Sequence, residues 1–354
     1  MLDRSRKLAI YMEGAVRGYG GKMGFGVLRY SPNPVVCVVD SETAGHDMAD
    51  VSGIPRSCPI VASVDKAVAL GAQVLVLGIA PTGGLIPESW LPVIDHAIDM
   101  GLSIVNGLHD LLGPRYPSLP NDPTAARFVW DIRIEPKGLQ PATGKSAGLS
   151  CQRVLLIGTD MNVGKMTAGL EIMRVAKEQG IATEFVATGQ IGITITGAGV
   201  PLDAIRVDFA SGSIEQQVVG ASDRGAELVI VEGQGALCHP GSTANLPLLR
   251  GTCPTDLILC HRAGQEALTL LPEIKIPPLG EYVRLYEDLA TVSGTFPRPG
   301  TVGVALNTFH VKHDEEALEA CASIERELGI PCVDPIRHGP DRLVTALHPA
   351  NRRL

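Results

Sequence analysis

The run Arg153-Val-Leu-Leu-Ile-Gly-Thr-Asp-Met-Asn-Val-Gly-Lys-Met-Thr167 contains the residue types that bind phosphate. Val154 to Ile157 are apolar β-formers, Gly158 and Gly164 bound a loop, and Lys165 stands where a helix should open, its ammonium expected at the surface. In such a unit the loop's N–H groups and the positive end of a helix dipole face an anion, and the lysine adds a full charge. Thr159, Asp160, Met161, Asn162 and Val163 lie between the two glycines, one residue more than in the standard motif. Where that motif has a Mg²⁺-ligating Ser or Thr, this chain has Met166, and Thr167 comes one residue late. Phosphate binding is therefore expected, and ordinary Mg-ATP hydrolysis is not. The bland alternative is a strand-to-helix turn and nothing more.

Leu228-Val-Ile-Val-Glu-Gly-Gln-Gly235 is the second chemical stretch. Four β-formers deliver Glu232 to a strand's carboxyl end, where it could act as a general base, ligate Mg²⁺ or be merely solvated. His239, in Cys238-His-Pro-Gly241, follows closely enough to share that mouth. Asp208 reads as a strand-to-loop carboxylate, and Glu215 as an acid at a helix start or a capping-box partner. Thr188-Gly-Gln190 and Asn307-Thr308 are polar strand tips, and Asn307 could meet a nucleotide base. His261-Arg262 and Asp334-Pro-Ile-Arg337 lie just past strands, where an acidic substrate would need arginines. No metal-ligand spacing such as H-E-x-x-H occurs, and no resident metal is expected.

The elements that must position these residues alternate as strand and helix. In the first half Leu8–Met12, Val35–Val39, Val74–Ile79 and Ser103–Val105 read as strands, with helices at Val64–Leu70 and Trp90–Met100. Strand-end candidates there are Glu13, Asp40, Pro81 to Gly84 and Asn106 to Asp110, with Asp40 in the position of a ribose ligand. The glycines from Gly14 to Gly26 do not match G-x-G-x-x-G and fit tight turns with close helix packing equally well. Prolines crowd residues 111 to 150, which read as a linker holding one strand near Val129–Ile134. The expected division is a Rossmann-like domain over 1–112, a crossover over 113–150 and a P-loop NTPase-like domain over 151–354, both α/β with largely parallel sheets. In the helix after the loop, Met166, Leu170, Met173 and Lys177 mark one stripe, with Gly180 at its end.

At 354 residues, 45% hydrophobic and 19% charged, the chain is folded and long enough for two cores. A formal charge of −8 argues against a nucleic-acid footprint, and no apolar run reaches bilayer length. Eight cysteines without a Cys-x-x-Cys pair fit buried thiols in a reducing compartment. A cytoplasmic protein is expected, a homo-oligomer acting on a small molecule, with neither membrane nor nucleic acid as partner.

Gly158-Thr-Asp-Met-Asn-Val-Gly-Lys165 with Val231-Glu-Gly-Gln-Gly235 resembles the dethiobiotin synthetases over the C-terminal half. Nearly the whole chain resembles a two-domain bacterial family that includes D-glutamate N-acetyltransferases. Gly24…Leu28-Arg-Tyr-Ser31, Asn106-Gly-Leu-His-Asp110, the 158–165 loop, Ala187-Thr-Gly-Gln190, Glu232-Gly-Gln-Gly235, His239-Pro240, Asn307-Thr308 and Asp334-Pro-Ile-Arg337 carry that resemblance. It implies an acyltransferase that takes acetyl-CoA and an acidic amino acid, D-glutamate foremost. Residues 158–167 and Asn307 would then bind the cofactor and Glu232 or His239 would take the ammonium proton. Arg262, Arg284 and Arg337 would supply the clamps for substrate carboxylates. Met166 suits this reading, because the pyrophosphate of acetyl-CoA can be held without a catalytic Mg²⁺. The alternative is an ATP-dependent ligase or kinase using ATP with Mg²⁺, in which Thr167 supplies the missing hydroxyl and Asp208 and Glu232 hold the metal. A non-catalytic nucleotide-binding regulator is the third reading.

Overall fold

The computed structural model describes residues 2–81 and 83–348, which form two compact units, Met1–Ile134 with Gln190–Ala204, and Glu135–Gly189 with Ile205–Leu354. The first unit runs β1 (Leu8–Tyr11), α1 (Lys22–Tyr30), β2 (Val35–Val39), α2 (Met48–Ser52), β3 (Ile60–Val61), α3 (Val64–Ala69), β4 (Val74–Leu77), α4 (Leu91–Asp99), β5 (Ser103–Asn106) and β6 (Val129–Asp131). The strands pair in the order β3-β2-β1-β4-β5-β6, each neighbour parallel. This is the Rossmann order. β1, β4 and β5 are buried along their whole length, which is why they read as unbroken apolar runs. The last part of the glycine-rich stretch, from Lys22 to Gly26, opens helix α1, which is pressed against the sheet. Gly24 donates its N–H to the Gly78 carbonyl at 2.7 Å, and a Cβ on Gly24 would lie 2.4 Å from the Met12 sulfur.

The second unit runs β7 (Gln152–Gly158), α5 (Lys165–Glu178) and β8 (Thr183–Val186). After α6 (Gln190–Thr196), which belongs to the first unit, come α7 (Val207–Asp223), β9 (Leu228–Val231), α8 (Asn245–Thr252), β10 (Asp256–Arg262), α9 (Leu279–Thr291), β11 (Gly300–Asn307), α10 (Asp314–Leu328), β12 (Cys332–Val333) and α11 (Asp341–Leu347). Its strand order is β12-β11-β10-β7-β9-β8, again parallel throughout. The core under β7 gathers Val154, Leu156, Ala168, Ile172, Ile230 and Ile258.

Several expectations are corrected. The boundary at 112 falls too early, because β6 pairs with β5 and brings residues up to Ile134 into the first unit. Residues 190–204 leave the second half, because α6 buries Ile193 and Ile195 and packs on α1. The buried face of α5 is Lys165, Ala168, Gly169, Ile172 and Val175 with Leu170 at its side, so the stripe through Met166, Met173 and Lys177 lies off-centre. The tip Pro81 to Gly84 includes Thr82, which lies outside the described residues, as do residues 349–354.

Candidate functional site

β7 runs without exposure into Gly158, and the chain then folds back so tightly that a Cβ there would lie 2.8 Å from the Lys165 Nζ. Asn162 and Gly164 take left-handed backbone, φ +57° and +108°, which turns the loop into the first turn of α5. Lys165 is not at the surface. It is 8% exposed and donates to the Asp160 carbonyl at 2.9 Å, its one hydrogen bond among the described residues. Burial pulls its pKa below the ordinary lysine value, against the pull of Cys260, Asp160 and Glu232. Two ammonium protons thus remain for an anion inside the loop.

Three struts hold this loop. Asp160 is buried, and its Oδ2 accepts from Gln265 Nε2 (2.7 Å), Thr269 N (2.8 Å) and Thr269 Oγ1 (2.9 Å), while Oδ1 accepts from Met161 N (2.7 Å). Burial alone would raise its pKa, but these bonds outweigh it and the pKa is lowered. Asp160 is therefore fully engaged within the protein. Thr159 Oγ1 lies 2.8 Å from His261 Nδ1, and burial, then the Arg262 charge, lower the His261 pKa to about 4. The third strut is Tyr282 of α9, whose hydroxyl donates to the Gly158 carbonyl and accepts from Leu237 N, both at 3.0 Å. The sequence reading missed Tyr282; its only signal was Tyr282 and Tyr286 four apart on an amphipathic helix.

Glu232 follows β9 and is 5% exposed. Its Oε2 accepts from Thr188 N (2.9 Å) and Gly189 N (3.1 Å), and Oε1 has no hydrogen-bond partner among the described residues. Burial raises its pKa to about 7 against the opposing effects of those two N–H groups and of Lys165. The polar tip at Thr188 is thus the holder of Glu232, with Gln234 Nε2 donating to Thr188 Oγ1 at 3.1 Å.

Two further candidates flank the loop. Arg262 Nη2 donates to the Asn162 carbonyl at 3.1 Å and Nη1 to Thr269 Oγ1 at 3.0 Å. Asn307 pairs in register with Arg262, and its Nδ2 lies 3.9 Å from where a Gly164 Cβ would stand. Met166 and Thr167 are half-buried in the first turn of α5.

Other candidates are not brought there. Asp208 is no strand end but an exposed residue in the first turn of α7, because that segment is helical from Val207. Glu215 lies inside the same helix, buried, accepting from Thr143 N (2.8 Å) and Oγ1 (2.9 Å). Tyr282 and Tyr286 turn inward, so Arg284, about 100° per residue further round α9 from Tyr282, faces solvent. Arg337 ties down its neighbouring loop through the Val311 carbonyl (2.7 Å) and the His313 carbonyl (3.4 Å). His239 Nδ1 accepts from Gly241 N at 3.1 Å within its own turn. In the first unit Asp40 is buried and accepts from Gly14 N (2.7 Å), Thr43 N (3.1 Å) and the Thr43 hydroxyl, so it holds its own turns together and is not presented to a ribose.

A parallel sheet whose first-position strand runs into a glycine-bounded loop and a lysine at a helix start defines a P-loop unit, here in one chain with a Rossmann-like unit. The chain belongs to the family of that architecture. Residues 41–135 match "Domain of unknown function (DUF1611_N) Rossmann-like domain" and residues 140–344 match "Domain of unknown function (DUF1611_C) P-loop domain". A crystal structure of a DUF1611 family protein from Anabaena variabilis is similar at 45% identity and a TM-score of 0.92, covering 97% of this chain and 99% of that one. Two relatives named D-glutamate N-acetyltransferase, from a Pseudoalteromonas species and from Tritonibacter scottomollicae, are each 37% identical over 80% of this chain and 84% of their own. This kinship supports an enzyme of the acyltransferase class. Among the described residues no helix is long and apolar enough to cross a membrane.

Proposed function

We propose that the protein transfers an acetyl group from acetyl-CoA to the amino group of an acidic amino acid, D-glutamate foremost. The observation that carries this reading is the 37% identity, over most of the chain, to two proteins of that name. The residues present fit a CoA pyrophosphate: a nearly buried lysine with one protein hydrogen bond sits inside a loop bent back by Gly158 and Gly164. Lys165 and the N–H groups of the loop would hold those phosphates, Arg262 would add charge beside Asn162, and Asn307 would lie at the mouth. Acetyl-CoA, when bound, supplies the acyl group as a thioester.

An ammonium has no lone pair to attack with, so a base must first take a proton from it. Glu232 suits that work. Its pKa of about 7 leaves it ready to accept at neutral pH, its Oε2 is fixed by Thr188 and Gly189, and its Oε1 is left for the incoming proton. His239 is the weaker candidate, since its Nδ1 is already engaged by Gly241 N.

The P-loop domain itself favours a second reading, an ATP-dependent ligase or kinase. Asp208, exposed on α7, is poorly suited to complete its Mg²⁺ ligand set. Incubation of the pure protein with acetyl-CoA and D-glutamate tests the choice. Thiol release and an N-acetyl product without ATP are expected; amino-acid-dependent ADP formation from ATP, with no thiol released, would reverse it.

A further inference from the structure

We propose that the first unit carries a carboxylate-binding site centred on Arg133, with Lys22 and His109 beside it. As a site for the acidic amino acid it rests on the acetyltransferase reading.

In an open parallel sheet of this order ligands bind outside the carboxyl ends of the strands, near the place where strand order reverses, here between β1 and β4. Three basic side chains reach that edge from three strands. Lys22 opens α1 after β1, His109 follows β5, and Arg133 stands two residues after β6. Two carboxylates of the same edge are engaged within the protein. Asp131 accepts from Asn106 Nδ2 (2.7 Å), Leu112 N (3.0 Å) and Gly113 N (2.8 Å), and Asp40 is engaged as described.

Arg133 is held like a tool in a fixture. Its side chain is 9% exposed, its Nε donates to the Gly107 carbonyl at 2.8 Å, and its Nη1 pairs with Asp203 and lies 2.7 Å from His109 Nε2. Nη2 has no partner among the described residues. A guanidinium fixed on three sides with one nitrogen left over is preorganised for a carboxylate oxygen. Lys22 reinforces the field: the surrounding protein and then the Arg133 charge lower its pKa, the mark of a second cation close by. Asp203 engages Nη1, so Nη2 is the nitrogen left to meet an acidic ligand.

The test is calorimetry on the full chain with glutarate, a dicarboxylate that has no amine and cannot turn over. Arg133→Gln should weaken glutarate binding at least tenfold and raise KM for D-glutamate similarly, while KM for acetyl-CoA stays within twofold. Arg133→Lys should recover part of the loss, which a purely structural arginine would not predict. Asp203→Asn removes the competing anion at a half-exposed position and should tighten glutarate binding, which keeps the proposal testable if Arg133→Gln unfolds. Unchanged glutarate affinity in Arg133→Gln or in Asp203→Asn overturns the site, as does a wild-type protein that acetylates D-glutamate yet binds no dicarboxylate. Glutarate binding lost in Arg133→Gln, in a protein that releases no thiol with any acidic amino acid, would uphold the site and reject the acetyltransferase reading.

Discussion

The Tyr282 hydroxyl bridges two segments of the P-loop unit, donating to the Gly158 carbonyl and accepting from the Leu237 N–H, each at 3.0 Å. One side chain from α9 thereby fixes the start of the phosphate loop against the turn that follows Glu232. Tyr282 is 1% exposed and packs edge-on against Tyr286 with ring centroids 5.3 Å apart. Removal of the hydroxyl leaves two buried backbone groups without this partner. Tyr282→Phe should therefore lower stability by about 1–3 kcal/mol in urea denaturation and weaken acetyl-CoA binding. Wild-type values of both would show that the loop does not need this tether.

Lys165→Ala removes more than an exposed charge, because the side chain is nearly buried. Loss of the contact to phosphate should weaken acetyl-CoA binding by roughly 1.5–3 kcal/mol. Lys165→Met separates the two effects, since it refills the space without the ammonium. It should bind acetyl-CoA as poorly as the alanine variant while melting close to wild type or above it, the buried charge having been removed. Calorimetry showing full affinity in the methionine variant would remove Lys165 from the phosphate site.

Glu232 links catalysis to pH. As the base it must be ionised, so kcat/KM should rise through pH about 7, and Glu232→Gln should lower kcat about 10²-fold or more with acetyl-CoA affinity near level. Stability runs the other way. The folded-state pKa is raised from 4.5 to about 7, so folding binds the proton more tightly. That contribution is fully present below pH 4.5 and is lost as pH rises through 7, on the order of 3 kcal/mol. Glutamine can still accept from Thr188 and Gly189 but has no charge to bury. The variant should therefore gain stability relative to wild type between pH 4.5 and 8. A difference that does not change with pH would mean that Glu232 titrates normally.

The strands at Leu8, Val35, Val74 and Ser103 and the loop at 158–165 were legible in the sequence because parallel strands covered on both faces leave unbroken apolar runs, and Gly158 and Lys165 follow one directly. Glu232 was legible for the same reason, as the first polar residue after Leu228–Val231. Asp208 misled because Val207-Asp-Phe-Ala lacks a clear period, and the helix there is set by burial of Ile214, Val218 and Ala221 instead. Lys165 was misjudged because a charged side chain is ordinarily at the surface, and only the tertiary fold shows it enclosed by Asp160 and the loop. Tyr282 is 124 residues from Gly158, and no local pattern announces such a partner. Arg133 escaped notice in a proline-rich stretch that reads as a linker, although it ends the first sheet.

Met166 separates the two enzymatic readings. The first turn of α5 offers a thioether where an ATP-hydrolysing P-loop offers a hydroxyl, and Thr167, one residue on, points about 100° further round the helix. If the loop serves only to grip a pyrophosphate, no step requires a divalent ion, and EDTA should leave acetyl transfer within about twofold of its untreated rate, a margin well below the tenfold that 1.4 kcal/mol represents. Met166→Thr should then add no transferase activity, while it gives Mg-ATP a ligand and so tightens ATP binding in calorimetry. A ligase or kinase behaves oppositely, because Mg²⁺ neutralises charge that develops on the transferred phosphoryl group. Turnover abolished by EDTA and restored by Mg²⁺ would make the protein an ATP-dependent enzyme, and the loop's missing hydroxyl would have to be supplied by Thr167.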